Sequence, residues 1–81
     1  MSETEILKQL EPIFSEIFFQ PIKVTPNLNA RMVSGWDSLA QISLILAIET
    51  RFKIRFALGE VESTKNVGDL VRIIQKHIPR A

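Results

Sequence analysis

Residues Gly35-Trp36-Asp37-Ser38-Leu39 stand where an irregular stretch gives way to a long apolar-periodic segment. They set one serine hydroxyl at the start of an expected helix, with a carboxylate before it and, in Leu39, an expected buried anchor after it. Helix N-termini carry unpaired N–H groups and the positive end of the macrodipole, so a phosphodiester on Ser38 would lie in a favourable field. A plainer assignment fits the same residues: Asp is an ordinary N-cap and Ser an ordinary first-turn residue. Few other side chains in the sequence suggest chemistry. There is no cysteine, hence no disulfide framework, and a single histidine makes no credible zinc site. That histidine, His77, falls at the end of the expected last helix, where it is most simply a partner for the C-terminal dipole.

The elements that must position Ser38 belong to one small domain, residues 1–81, whose core has to come from apolar packing alone. With 46% hydrophobic residues the composition can supply that core. No apolar run approaches a bilayer span, and Met1-Ser2-Glu3-Thr4-Glu5 is acidic where a secretory leader is basic, so a cytoplasmic location is expected. Net charge is only +1, but it is uneven. Residues 1–20 hold Glu3, Glu5, Glu11 and Glu16 against Lys8. Residues 51–81 hold Arg51, Lys53, Arg55, Lys65, Arg72, Lys76 and Arg80 against Glu60, Glu62 and Asp69. These basic residues are scattered without the clustered stripe that nucleic-acid binding needs; solvated helix faces are their simplest role, and steering of an acidic partner is the alternative.

Ser2 and Glu5 fit a capping box, and Ile6, Leu7, Leu10, Ile13, Phe14, Ile17 and Phe18 then recur at helical spacing. Pro12 inside this run predicts a kink, with two helical pieces as the alternative, and Gln20-Pro21 ends it. From Pro21 to Trp36 no period is sustained. Val24, Leu28, Met32 and Val33 are the expected pins of this long loop, and Thr25-Pro26 the expected start of a short helical turn. Asp37 caps a second helix reaching about Phe52, with Leu39, Ile42, Leu46 and Phe52 marking a core face. Leu44, Ile45 and Ile48 widen the apolar circumference, which favours central packing over an exposed strip. Ile54 and Phe56 tuck an extended connector into the core, since a single short strand has nothing to pair with. A short helix is expected around Leu58-Gly59-Glu60-Val61-Glu62. Asn66 and Asp69 then cap a last helix carrying Val67, Leu70, Val71, Ile73, Ile74 and Ile78, to about His77, where Pro79 stops it. The expected architecture is an all-α four-helix bundle, three main helices and one short one, with a long loop between helices 1 and 2.

Together, the serine motif Gly35–Leu39, the helix running to Glu49-Thr50-Arg51-Phe52, the connector Phe52-Lys53-Ile54-Arg55-Phe56 and Asn66-Val67-Gly68-Asp69-Leu70 make the chain resemble the acyl carrier proteins and related peptidyl carrier domains. The triplet Asp-Ser-Leu alone is a weak signal; the order and spacing of all four features over nearly the whole chain is strong. The resemblance implies a carrier and not an enzyme. It implies 4′-phosphopantetheine on Ser38, attached by a phosphopantetheinyl transferase that uses Mg²⁺ to position coenzyme A. The serine oxygen attacks the β-phosphate and adenosine 3′,5′-bisphosphate leaves. The arm ends in a thiol, which lets a chain without cysteine carry an acyl thioester. By the same resemblance Asp37 presents Ser38 to the transferase, Leu39 is a partly exposed docking contact, and Trp36 either shields the base of the arm or anchors the loop. Ile42, Leu46, Phe52, Phe56 and Leu70 are assigned to the core. The further partners implied are an acyl- or aminoacyl-loading ligase and an acyltransferase or synthase acceptor, and a monomer is expected.

The sequence departs from the resemblance in its charge. Carriers of primary fatty acid synthesis place carboxylates along the second helix, whereas Ala40, Gln41, Ser43, Thr50 and Arg51 stand here and only Glu49 is retained. Docking to basic enzyme surfaces should then be weak, with exposed apolar contacts from Leu39, Ile45 or Leu46 doing more. This points to a specialised carrier for a dedicated lipid, polyketide-like, secondary metabolite or surface polysaccharide pathway. Thr64, where relatives often have an apolar residue, is expected to alter how the short helix closes over an acyl chain. An aminoacyl or peptidyl carrier with the same arm, and a helical adaptor that is never modified, remain as alternatives.

Overall fold

The computed structural model describes residues 2–57 and 59–78. Three helices, α1 (Glu3–Phe18), α2 (Ser38–Phe52) and α3 (Val67–His77), enclose the core; two single 3₁₀ turns, Ala30–Met32 and Val61–Ser63, lie between them. No strand occurs among the described residues, and no helix is long and apolar enough to cross a membrane. The all-α architecture is the expected one, with the short helix reduced to the turn at Val61–Ser63. Leu58, expected in that helix, and Pro79, expected to stop α3, lie outside the described residues.

Each helix starts where its cap predicts. Ser2 Oγ accepts the Glu5 N–H and Glu5 Oε1 accepts the Ser2 N–H, both at 3.2 Å; the Ser2 backbone and hydroxyl hold the Glu5 carboxyl below its usual range. Asn66 Oδ1 accepts the Asp69 N–H at 2.9 Å, and Asp69 reaches back to the Lys65 N–H at 3.0 Å. α1 is one continuous helix through Pro12, not two pieces. Pro12 lies on its exposed side, where water can serve the Lys8 carbonyl that loses its usual donor. α1 ends at Phe19, a fully exposed side chain on left-handed backbone with φ 56°.

α1 is the shared wall of the bundle and packs against both α2 and α3. It contributes Ile6, Leu10 and Phe14, all without exposed surface, against Leu44 and Ile48 of α2 and Val67, Val71 and Ile74 of α3. Ile54 of the connector is buried as expected, Leu70 is buried, and Phe52 and Phe56 pack half-buried at the edge.

The expectations for the α2 face and for Met32 are corrected. Ile42 and Leu46, assigned to the core together with the α2 face that begins at Leu39, are 58% and 59% exposed. A helix advances about 100° per residue, so Leu44 and Ile48 stand roughly opposite that face, and only one of the two stripes can meet α1. α2 therefore presents an exposed apolar strip and is not central. Met32 is 62% exposed and pins nothing. It lies in the 3₁₀ turn capped by Asn29, whose Oδ1 accepts the Arg31 N–H at 2.9 Å, and this turn carries no buried side chain.

The other three pins, Val24, Leu28 and Val33, are buried. Hydrogen bonds fix the same loop at both sides. The Val24 N–H donates to Glu11 Oε2 of α1 at 3.2 Å. From α3, the Val67 N–H donates to the Leu28 carbonyl and the Gly68 N–H to the Pro26 carbonyl, each at 2.9 Å. Gly68 permits this approach, since a Cβ there would stand 3.2 Å from the Pro26 oxygen. Thr25-Pro26, the expected start of a short helical turn, forms a single turn closed by the Leu28 N–H on the Thr25 carbonyl, at 3.1 Å.

Candidate functional site

The corner that delivers Ser38 is built by a turn, an anchor and a cap. Gly35 takes φ 88°, a conformation that disfavours any side chain, and the Asp37 N–H closes onto the Gly35 carbonyl at 3.0 Å. Trp36 turns inward from this corner. Its ring stands edge-on to Phe14 with centroids 5.4 Å apart and tilted against Phe18 at 5.8 Å. Its indole N–H donates to Gln41 Oε1 at 2.6 Å. These contacts tie Trp36 to α1 and α2, and it also lines the cleft beside Ser38.

Asp37 is the N-cap, its Oδ1 accepting the Ala40 N–H at 2.8 Å. The cap is thus made by the carboxylate and leaves the neighbouring hydroxyl out of it. Ser38 is the first residue of α2 and is exposed. Leu39 beside it is 73% exposed and is not the buried anchor expected from the motif, in line with the partly exposed contact that the resemblance implies. The four residues singled out in the sequence are therefore adjacent but unlike in role: Trp36 and Asp37 hold the corner, and Ser38 and Leu39 face outward.

Among the described residues, two clefts are bordered by both Ser38 and the Val61–Ser63 turn. The first, about 470 Å³, is bordered largely by polar residues, among them Asn29, Gln41, Glu62, Thr64 and Asn66. The second, about 550 Å³, runs between α2 and the connector and is more apolar, with Ile42, Ile45, Leu46, Phe56 and Val61. Thr64 faces the polar cleft, its hydroxyl engaged by the Val61 carbonyl at 2.6 Å.

Glu60 ties Ala57, which borders the apolar cleft, to the end of α3. Its Oε1 accepts the Ala57 N–H at 2.9 Å and lies 2.7 Å from His77 Nε2, with Lys76 Nζ 3.8 Å from its other oxygen. The Ala57 N–H first, and then His77, hold the Glu60 carboxyl below the usual carboxylate range. His77 also stands edge-on to Phe56, with centroids 5.8 Å apart. Its position in the last turn of α3 agrees with the dipole role, and the contact with Glu60 joins that turn to the rim of the cleft.

Gln41 and Glu60 make contacts here that the sequence did not disclose. Nothing in their spacing announces them, because each acts across a turn that depends on the fold. The exposure of Ile42 and Leu46 did leave a signal, since Ser43 and Thr50 share their side of the helix and polar residues mark the solvent face. Among the described residues no group of three or more His, Cys, Asp or Glu side chains gathers as a metal site.

No protein-family model matches the chain. Individual proteins do. Acyl carrier protein 2 of Ralstonia nicotianae is 32% identical over 76 residues, covering 93% of this chain and 94% of its own. The acyl carrier protein of Thermosynechococcus vestitus is 29% identical over 79 residues, covering 96% and 98%. Among solved structures, the solution NMR structure of holo acyl carrier protein from Geobacter metallireducens matches with a TM-score of 0.80 and 42% identity, over 86% of this chain and 82% of that one. Agreement in sequence across nearly the whole of both chains, joined to agreement in fold, leaves one assignment: this chain belongs to the acyl carrier protein family.

Proposed function

We propose that Ser38 carries 4′-phosphopantetheine and that the chain holds acyl groups for a dedicated lipid, polyketide-like or surface polysaccharide pathway, not for primary fatty acid synthesis. The observation that carries this is the exposed Ser38, left out of a cap that Asp37 makes alone, at the N-terminus of α2. The residues present fit the group. A phosphodiester at Ser38 would lie beside the positive end of the α2 dipole. The holo state named for the Geobacter metallireducens relative supports the same assignment. When bound, the group supplies the terminal thiol that a cysteine-free chain lacks.

This chain's own residues position and shelter. Trp36 and Asp37 fix the direction of the serine, and the polar cleft offers hydrogen-bonding partners such as Asn29 and Gln41 to an amide-bearing arm. The apolar lining of the second cleft favours an acyl cargo over an amino acid, which has no need of such a surface. The dedicated pathway is supported by the charge of α2. Its one carboxylate, Glu49, is half-buried and accepts the Phe56 N–H through Oε2 at 2.9 Å. That contact ties it to the connector.

The test is the intact mass of the purified protein before and after incubation with coenzyme A, Mg²⁺ and a promiscuous phosphopantetheinyl transferase. A gain of one phosphopantetheinyl group in the wild type and none in Ser38→Ala is expected. A gain retained in Ser38→Ala moves the arm elsewhere, and no gain with several transferases leaves an unmodified adaptor.

A further inference from the structure

We infer that the enzymes servicing Ser38 meet α2 with an apolar face carrying acidic side chains roughly 20 Å from the mouth of the active site, the distance set by the 1.5 Å rise per residue between Ser38 and Lys53. The inference rests on the reading of Ser38 given above and adds the chemistry of the partner. It reverses the polarity of the carboxylate-lined carriers.

Three observations carry it. Leu39, Ile42 and Leu46, 73%, 58% and 59% exposed, follow one another at spacings of three and four residues and form a strip that begins beside Ser38. Ser43 and Thr50 flank the strip and are neutral, and no acidic residue occupies the first turn of α2. At its far end Leu46, Lys53 and Arg55 border one shallow hollow of about 520 Å³. Lys53 and Arg55 are exposed and form no salt bridge among the described residues. Glu49, which shares the hollow, is engaged by the Phe56 N–H. Arg51 is drawn aside, its Nε donating to Gln9 of α1 at 3.3 Å.

The strip thus has a polarity along its length. Asp37 and Glu62 border the clefts at the serine end, and two free cations stand at the other. A partner that seats Ser38 in its active site therefore places its complementary carboxylates against the foot of α2, and an enzyme with a basic docking surface is repelled there.

The test uses two phosphopantetheinyl transferases chosen by surface, one with a basic docking face and one with an apolar face and acidic rim. Each is titrated into the isotopically labelled protein without coenzyme A, and modification is followed separately by mass. The acidic-rimmed transferase is expected to bind more tightly and to shift the amides of Leu39, Ile42, Leu46, Lys53 and Arg55. Arg55→Glu combined with Lys53→Asn, in which Asn tolerates the left-handed backbone at 53, is expected to weaken that binding about tenfold and to strengthen binding to the basic one. Leu46→Ser, at an exposed position, is expected to weaken the acidic-rimmed complex without unfolding the protein. Equal or tighter binding to the basic transferase, binding to neither, or a strip that sedimentation shows covered by a second copy of the chain would overturn the inference. Charge-dependent docking without a mass gain sinks the Ser38 reading alone, and a mass gain without charge dependence sinks the docking inference alone.

Discussion

Replacing Trp36 separates the two jobs an indole at this corner could have, because anchoring and shielding respond differently to a smaller ring. Removing a buried Trp to Ala costs about 3–5 kcal/mol, and Trp36 is half-buried, which places Trp36→Ala near the lower end, about 3 kcal/mol. Part of that loss is the pair of ring contacts with Phe14 and Phe18, worth about 0.5–1.5 kcal/mol each beyond their area. Trp36→Phe keeps an aromatic ring among them and loses the N–H bond to Gln41, a net loss of about 1 kcal/mol. Gln41 is itself half-exposed, so water replaces the donor and no orphaned acceptor adds to the cost. A domain of 81 residues has a total stability of about 4–12 kcal/mol, so the alanine variant loses a large share of it. Urea unfolding followed by far-ultraviolet circular dichroism is the assay, since the fluorophore is removed. With a slope of about 1 kcal/mol per molar, midpoints should fall by about 3 M and 1 M. Anchoring also requires that Trp36→Phe be loaded by a transferase at close to the wild-type rate. A Trp36→Ala variant that loses under about 1 kcal/mol while its loading collapses would refute the assignment and give the indole to the base of the arm.

Three other perturbations test parts of the same account. Phe19→Gly removes a fully exposed ring from left-handed backbone at φ 56°, and should stabilise the fold by about 0.5–1 kcal/mol, read as a melting temperature several degrees higher. Asp37→Ala removes the cap on Ala40 and should cost about 1 kcal/mol in urea unfolding, while Asp37→Asn, which keeps an accepting oxygen, should cost only a few tenths. Glu60 has a folded-state pKa below its unfolded value, so the stability it contributes is complete above the unfolded pKa, about 4.3, and is lost as the pH falls through the lower folded value. The urea midpoints of wild type and Glu60→Gln should accordingly differ at neutral pH and converge in acid; a difference that persists there would remove the carboxylate from the account.

Local signals carried far in this chain. Ser2, Asp37 and Asn66 announced all three helix starts because a cap is a contact between residues three apart, which the sequence displays directly. The serine corner was legible for the same reason, being one glycine, one cap and one hydroxyl in a row. What stayed hidden depends on which surface a helix turns inward. α2 carries two apolar stripes of similar strength, and the choice of Leu44 and Ile48 over Ile42 and Leu46 is made by α1, far away in sequence. Glu60 was hidden in the same way, since its partners His77 and Lys76 reach it only after the turn at Val61–Ser63 folds back toward the end of α3.

The two hydrogen bonds that join Val67 and Gly68 to the carbonyls of Leu28 and Pro26 have a dynamic consequence. They place the opening turn of α3 and the middle of the long loop in one cooperative unit, because neither can unravel without stripping the other of its backbone partners. The loop continues into the Gly35 corner that precedes Ser38. Exchange protection of the Val67 and Gly68 amides should therefore report on the loop that leads to Ser38 as well as on α3.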